Sequence, residues 1–80
     1  MPQNHPDTGP FAQIARRSLA ARTALGLSQS ELADQAGVSR PTVISMELGR
    51  PLRMDTLQRI LDVLGLELRA VMIARDQHKE

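Results

Sequence analysis

Apolar side chains recur at helical spacing through most of the chain, in segments that each run up to a glycine. At about 100° per residue, one face of the first segment carries Phe11, Ile14, Ser18, Ala21 and Leu25. Pro10 suits the first turn of a helix, where its missing N–H costs nothing, and Gly26 suits the left-handed position that ends one. The pattern predicts a helix over residues 10–25.

Two short capped helices follow. Ser28-Gln29-Ser30-Glu31 is a capping box, in which the serine caps the helix and the glutamate reaches back; the helix it opens ends at Gly37. Ser39 is a second N-cap, and the third helix that it opens tolerates a proline in its first turn. We expect Gly49 to close this helix and its apolar contacts to come from Val43, Ile44, Met46 and Leu48.

A fourth helix is predicted from Asp55 to Leu64. Asp55, with Gln58 three residues later, has the pattern of a capping residue, and Gly65 ends the helix. Its apolar positions are Leu57, Ile60, Leu61 and Leu64. The fold class is therefore all-α, with four to five helices.

The segment 66–74 has a different period. Alternate residues on one face are apolar, as in a strand: Leu66, Leu68, Ala70, Met72 and Ala74. The chain has no second strand candidate, so such a strand needs a partner outside the monomer. The simplest partner is the same strand of a second copy across a two-fold axis. The alternative is that 66–74 continues as a helix or a packed coil.

Composition favours binding over catalysis. The chain of 80 residues is 41% hydrophobic and has no cysteine, which excludes disulfides, thiolate metal sites and thiol nucleophiles. It has no membrane-length apolar run and no signal-peptide pattern at its start, so we expect a cytoplasmic protein. His5 and His78 are far apart and lack ligand spacing. No enzyme activity, cofactor or metal is expected.

The charge lies mostly in arginine. Nine of the ten basic residues are arginines, whose planar fork suits phosphates and guanine edges; a coding bias is the alternative explanation. Residues 1–53 hold six arginines against four acids, and residues 54–80 hold four basic against five acidic residues. The first part of the chain is therefore expected to face an anion.

Two helices joined by a short glycine turn have the helix-turn-helix geometry, whose second helix enters the DNA major groove. The stretch LSQSELADQAGVSRPTVISMELGR, residues 27–50, resembles the Cro and cI repressors of the xenobiotic-response-element family in the order and spacing of its blocks. The resemblance covers about residues 11–65 and implies a lambda-repressor-like domain.

This resemblance also implies residue roles. Gln29 stands where relatives touch phosphate or a base edge, and the exposed start of the recognition helix, residues 39–48, carries Ser39, Arg40, Thr42 and Ser45. Arg22 and Glu47 match a structural ion pair. Pro41 departs from the family, where a long polar side chain is frequent, and Ser18 is an unusual polar residue in the first helix.

Several of these residues suit DNA on physical grounds as well. Helix N-termini attract phosphates, and Ser28 can cap its helix, contact phosphate, or do both. Arg40 can bind guanine in bidentate fashion, contact phosphate, or remain solvated. Arg50 and Arg53, just past the recognition helix, are candidate backbone clamps; a solvated loop is the alternative.

The exit from the fourth helix, Leu64-Gly65-Leu66-Glu67-Leu68, resembles the HipB-type antitoxins. This resemblance implies a dimer formed through a carboxy-terminal strand, here Leu66, Leu68, Ala70 and Met72, and a HipA-type kinase toxin as a partner. The expected organisation is an N-terminal arm (1–9), the helix-turn-helix domain (10–65), a dimerisation strand (66–75) and a flexible tail (76–80). The expected function is a homodimeric transcription regulator that binds a specific double-stranded DNA operator and represses its own gene. The alternative is an antitoxin that also neutralises a toxin.

Overall fold

A computed structural model of the chain describes residues 9–70, 72 and 74. Four helices follow one another: α1 (Pro10–Leu25), α2 (Gln29–Ala36), α3 (Arg40–Glu47) and α4 (Met54–Leu64). The all-helical prediction is confirmed for this part of the chain. The predicted arm, apart from Gly9, and the predicted tail 76–80 lie outside the described residues. No helix within the described part is both long and apolar enough to cross a membrane.

The boundaries of α2 have local causes in the sequence. The Ser28 hydroxyl oxygen accepts from the Glu31 backbone N–H at 3.0 Å, and the Glu31 carboxylate accepts from the Ser28 N–H at 2.8 Å. This reciprocal capping box satisfies two N–H groups that the helix itself cannot pair. Gly37 ends α2 with a φ of +71°, a conformation that residues with a Cβ atom seldom adopt. The chain can therefore turn within a few residues from α2 into α3.

The core lies where α2, α3 and α4 meet. Its fully buried large side chains include Leu32 of α2, Val43 and Met46 of α3, and Ile60 of α4. Ile14 and Ala21 of α1 pack against this cluster from one side. The core is small and aliphatic, as expected for a domain of this size.

The predicted buried face of α1 is wrong at its two ends. Phe11 and Leu25 are 39% and 54% exposed; Ser18 is buried as predicted, and the other buried residues are Ala12 and Ala15. Small side chains in the contact allow α1 to lie close to the rest of the domain, and the larger side chains are displaced to its edges. Periodicity alone does not distinguish these two arrangements, because the two stripes lie on overlapping sectors of the helix.

The predicted cap of α4 is also wrong. The helix begins at Met54, and Arg53 is its N-cap residue, without a side-chain hydrogen bond to the helix. Asp55 lies inside the first turn, where a negative charge favours the helix dipole. Gln58 donates to Asp62 at 2.8 Å instead of reaching back. The Asp-x-x-Gln pattern therefore located the start of this helix to within two residues. It did so because Asp55 favours the first turn, and not because Asp55 and Gln58 form a cap.

The described residues after α4 do not form the predicted strand. The Leu66 N–H donates to the Leu61 carbonyl at 2.9 Å, which completes the end of α4. The described residues beyond it, 67–70, 72 and 74, belong to no regular element. A strand needs the backbone of a neighbour, and the described part of this chain offers none. Leu66 and Leu68 are half-buried against the core, whereas Ala70 and Met72 are exposed.

Candidate nucleic-acid interface

The amino-terminal ends of α2 and α3 lie beside each other on one surface. The Arg40 guanidinium, at the first residue of α3, donates through Nη2 to the Gln29 side-chain oxygen at 3.3 Å. Gln29 is itself the first residue of α2. The contact brings together two helix ends whose first N–H groups are not used within the helices. Both ends therefore add partial positive charge to the same surface.

A chain of polar contacts connects this surface to α1. Gln29 donates from Nε2 to Glu47 Oε1 at 2.9 Å. The Glu47 carboxylate also accepts from Arg22, at 2.6 Å from Nε and at 3.2 Å from Nη2. Arg22 Nη1 donates to the Leu27 carbonyl at 2.8 Å, in the turn between α1 and α2. One connected set of hydrogen bonds thus fixes the positions of α1, α2 and α3 relative to each other.

The hydroxyl groups at the start of α3 bond to one another. Ser39 caps the helix by accepting from the Thr42 N–H at 3.3 Å, and the Ser39 and Thr42 hydroxyl oxygens lie 2.8 Å apart. A hydroxyl can donate and accept at the same time. Capping therefore leaves this pair able to make one further contact to a phosphate oxygen.

The solvent-facing side of α3 is more apolar than the sequence indicated. Pro41 is exposed, Ser45 is half-buried, and Leu48, directly after the helix, is 61% exposed. These positions are three or four residues apart and lie on one face of the helix. The expectation that Leu48 contributes to the core is wrong, and Ile44 is only half-buried. The sequence pattern assigned Leu48 to the core because it closely follows the apolar residues Val43 and Met46, which are buried. Its spacing from Pro41 and Ser45 was the signal that it lies on the exposed face.

Arg50 and Arg53 follow α3 in an extended connection to α4. Arg50 is exposed and lies at a shallow cleft that Phe11, Met46 and Leu52 also line. Arg53 donates to both oxygens of the Asp55 carboxylate at 3.2 Å. This hydrogen bond from Arg53 is the main reason that the pKa of Asp55 lies below its usual 3.8. The Arg53 charge is thus shared with Asp55, whereas Arg50 has no ion pair within the described residues.

The structure therefore groups the predicted DNA-contacting residues in three places. Five of them lie in the first turns of α2 and α3 or in the caps of these helices: Ser28, Gln29, Ser39, Arg40 and Thr42. Ser45 lies further along α3, and the two remaining arginines lie past its end. The predicted dimerisation residues lie on the segment after α4. Within the described residues, no three metal-ligating side chains come together.

Comparison with known proteins agrees with this geometry. A family profile described as helix-turn-helix, HTH_3, matches residues 19–71. The match includes α2, the turn, α3 and α4. A search of curated proteins found no match to the chain. Because the profile covers more than half of the sequence, the chain belongs to the HTH_3 helix-turn-helix family, the xenobiotic-response-element class of DNA-binding transcription regulators.

Proposed function

We propose that this protein is a homodimeric regulator that binds a specific double-stranded DNA operator with α3 in the major groove, and that it represses its own gene. The observation that carries the proposal is the contact between Arg40 and Gln29, which places the N-termini of α2 and α3 next to each other on one exposed surface. Backbone N–H groups at helix ends bind phosphate oxygens. Two such ends, side by side, fit the backbone that borders a groove.

Within this proposal, Arg40 is the residue that reads bases. It is the first residue of α3, it is exposed, and its guanidinium can donate twice to guanine O6 and N7. Pro41 and Leu48 offer apolar contacts of the kind that distinguish thymine by its methyl group. The exposed face of α3 therefore suits a half-site that contains both a guanine and a thymine.

The remaining polar residues would hold the DNA backbone. Ser28, Ser39 and Thr42 offer hydroxyls at the helix ends, Ser45 offers one further along α3, and Arg50 and Arg53 offer charge beyond it. Phosphate contacts fix the register of a protein on the duplex without reading sequence. For Arg53 the phosphate would compete with the exposed Asp55 carboxylate, and an exposed pair of this kind is held weakly.

Dimerisation would come from pairing of the 66–74 segment with the same segment of a second copy. Its described backbone from residue 67 to residue 70 makes no hydrogen bond to another described residue, so its donors and acceptors are available. A two-fold dimer would present two α3 helices to half-sites about 34 Å apart.

The proposal is tested by fluorescence anisotropy with the DNA upstream of the protein's own gene and a scrambled duplex of the same length and composition. We expect tight binding to the upstream fragment alone at physiological salt. The affinity should fall steeply as salt rises, because arginine contacts release counterions from phosphates. Equal, weak binding to both duplexes would contradict sequence-specific regulation.

The second candidate is an antitoxin that neutralises a HipA-type kinase toxin as well as binding its operator. Its support is the HipB-like exit from α4, together with two large apolar residues of α1, Leu19 and Leu25, which are 42% and 54% exposed. Co-purification from the native host separates the candidates. A stoichiometric kinase would favour the antitoxin, and a lone homodimer would favour the regulator alone.

A further inference from the structure

An apolar groove of about 350 Å³ runs between α1 and the segment that follows α4. Its walls are formed mainly by Ile14 of α1, Leu61 of α4, and Leu66 and Leu68 of the segment. Gln13 and Arg17 of α1 border it on the solvent side. No side chain from the described residues fills the groove, although its walls are continuous with the core.

The segment that forms one wall has two distinct faces. Leu66 and Leu68 point inward, since both are half-buried and pack against the core. Residues at even spacing in an extended segment share a face, so Met72 would share this face once the segment pairs as a strand. Its side chain is nevertheless 95% exposed. The chain thus exposes a long apolar side chain a few residues beyond an apolar groove.

Symmetry connects the exposed methionine with the groove. When two identical strands pair antiparallel about a two-fold axis, the axis is perpendicular to the sheet, and equivalent residues of both strands face the same side. Pairing centred on Ala70 sets Met72 of a second copy opposite Leu68. Pairing centred on Arg69 sets it opposite Leu66. In both registers the second Met72 faces α1, on the side where Leu66 and Leu68 line the groove.

We propose that the groove of each subunit receives the Met72 side chain of the other subunit. The inference rests on the homodimer proposed above and goes further, because it assigns an occupant to the groove and a role to one residue. Met72 suits this role because an unbranched, flexible thioether adapts to an irregular apolar surface. The exchange is reciprocal, so each dimer fills two grooves and covers two exposed methionines.

Cross-linking tests which side chain enters the groove. The sequence contains no cysteine, so the double variant Gln13→Cys/Met72→Cys carries the only two thiols. Treatment of the full-length variant with a short bis-maleimide should give a covalent dimer on a denaturing gel. The control Gln58→Cys/Met72→Cys, with its first thiol on exposed α4 surface outside the groove, should remain monomeric. A cross-link within one chain, or none, would overturn the proposal.

Sedimentation equilibrium gives a second and independent measure. Met72→Ala should raise the dimer dissociation constant about 30-fold, because two side chains per dimer lose apolar burial. Met54→Ala is the matched control, since Met54 is 63% exposed and lies outside the groove, and it should change the constant less than about twofold. An unchanged constant in Met72→Ala would refute the proposal.

The two proposals fail in different ways. If the wild-type protein binds its operator as a dimer but shows no Gln13–Met72 cross-link, the regulator stands and only the groove assignment is lost. If the covalent dimer forms but binds no specific DNA, the groove assignment stands and the regulator fails.

Discussion

Glu47, the last residue of α3, holds Arg22 of α1 through two hydrogen bonds, with 2.6 Å between Arg22 Nε and Glu47 Oε2. The two side chains are only 15% and 8% exposed. Because both side chains are largely buried, the main effect of the pair is that each charge has a partner. Either charge alone would remain buried without one, which would destabilise the fold. The pair therefore positions α3 against α1 and supports the surface that α3 presents.

Replacement of Glu47 tests this relationship. Glu47→Gln keeps the size of the side chain but leaves the Arg22 charge without its counterion. We expect a loss of about 2 kcal/mol in the free energy of unfolding, less than for a broken pair that is fully buried, because some solvent still reaches this one. In a domain of this size that corresponds to a fall in Tm of about 8–16 °C. Thermal unfolding followed by circular dichroism measures it.

The matched control is Glu67→Gln. Glu67 forms an ion pair with Arg69 at 3.4 Å, with both side chains at least three-quarters exposed. Exposed pairs contribute little, so this variant should unfold within about 0.5 kcal/mol of the wild type. Equal effects of the two replacements would show that burial of the Arg22–Glu47 pair is not what matters.

The contact between Gln29 and Arg40 predicts coupled effects on DNA binding. Arg40→Ala should weaken operator binding about 10- to 100-fold, as expected for loss of a bidentate base contact. Gln29→Ala should weaken it less, because it removes the support of Arg40 at 3.3 Å and the hydrogen bond to Glu47 but leaves the Arg40 guanidinium in place. If Gln29 acts through Arg40, the double variant should bind about as weakly as Arg40→Ala alone. Anisotropy titrations of all four proteins measure the cycle.

Arg59→Ala provides the control for this cycle, because Arg59 is an exposed arginine on α4 and belongs to neither of the two helix ends that form the proposed interface. It removes the same charge without touching the proposed interface, so operator affinity should change less than about threefold. Fully additive effects of Gln29→Ala and Arg40→Ala would contradict the positioning role of Gln29.

The two possible roles of Ser28 can be separated by charge. Ser28→Ala removes the cap seen at the start of α2 and should cost about 1 kcal/mol of stability. Ser28→Asp keeps an equally good capping group, so its stability should stay near the wild type. Near a DNA phosphate, however, the added carboxylate would repel. Operator binding weaker in Ser28→Asp than in Ser28→Ala indicates phosphate contact, whereas equal binding indicates that Ser28 only caps.

The sequence predicted features that depend on residues close together in the chain, and it was less successful for features that depend on residues far apart. Capping at Ser28 and the turn at Gly37 are local, and their residues specify them directly. The pairing of Arg22 with Glu47 spans 25 residues, and only the family resemblance indicated it. Tertiary packing decided the buried side of α1 and the exposure of Leu48, which periodicity alone did not resolve. A strand at residues 66–74 would need a neighbour outside the chain, as the proposed dimer supplies.

Ser18 is the residue whose chemistry fits its surroundings least, and it gives the last prediction. It is fully buried in α1, and within the described residues its hydroxyl has no hydrogen-bond partner. A buried hydroxyl that makes no hydrogen bond costs free energy, because folding removes it from water without replacement. Ser18→Ala should therefore raise the free energy of unfolding by about 1 kcal/mol and Tm by about 4–8 °C. Chemical and thermal denaturation measure both quantities, and Ser45→Ala, at a half-buried position of α3, serves as the comparison. A Ser18→Ala protein less stable than the wild type would show that the hydroxyl is paired in solution, with bound water as the natural partner.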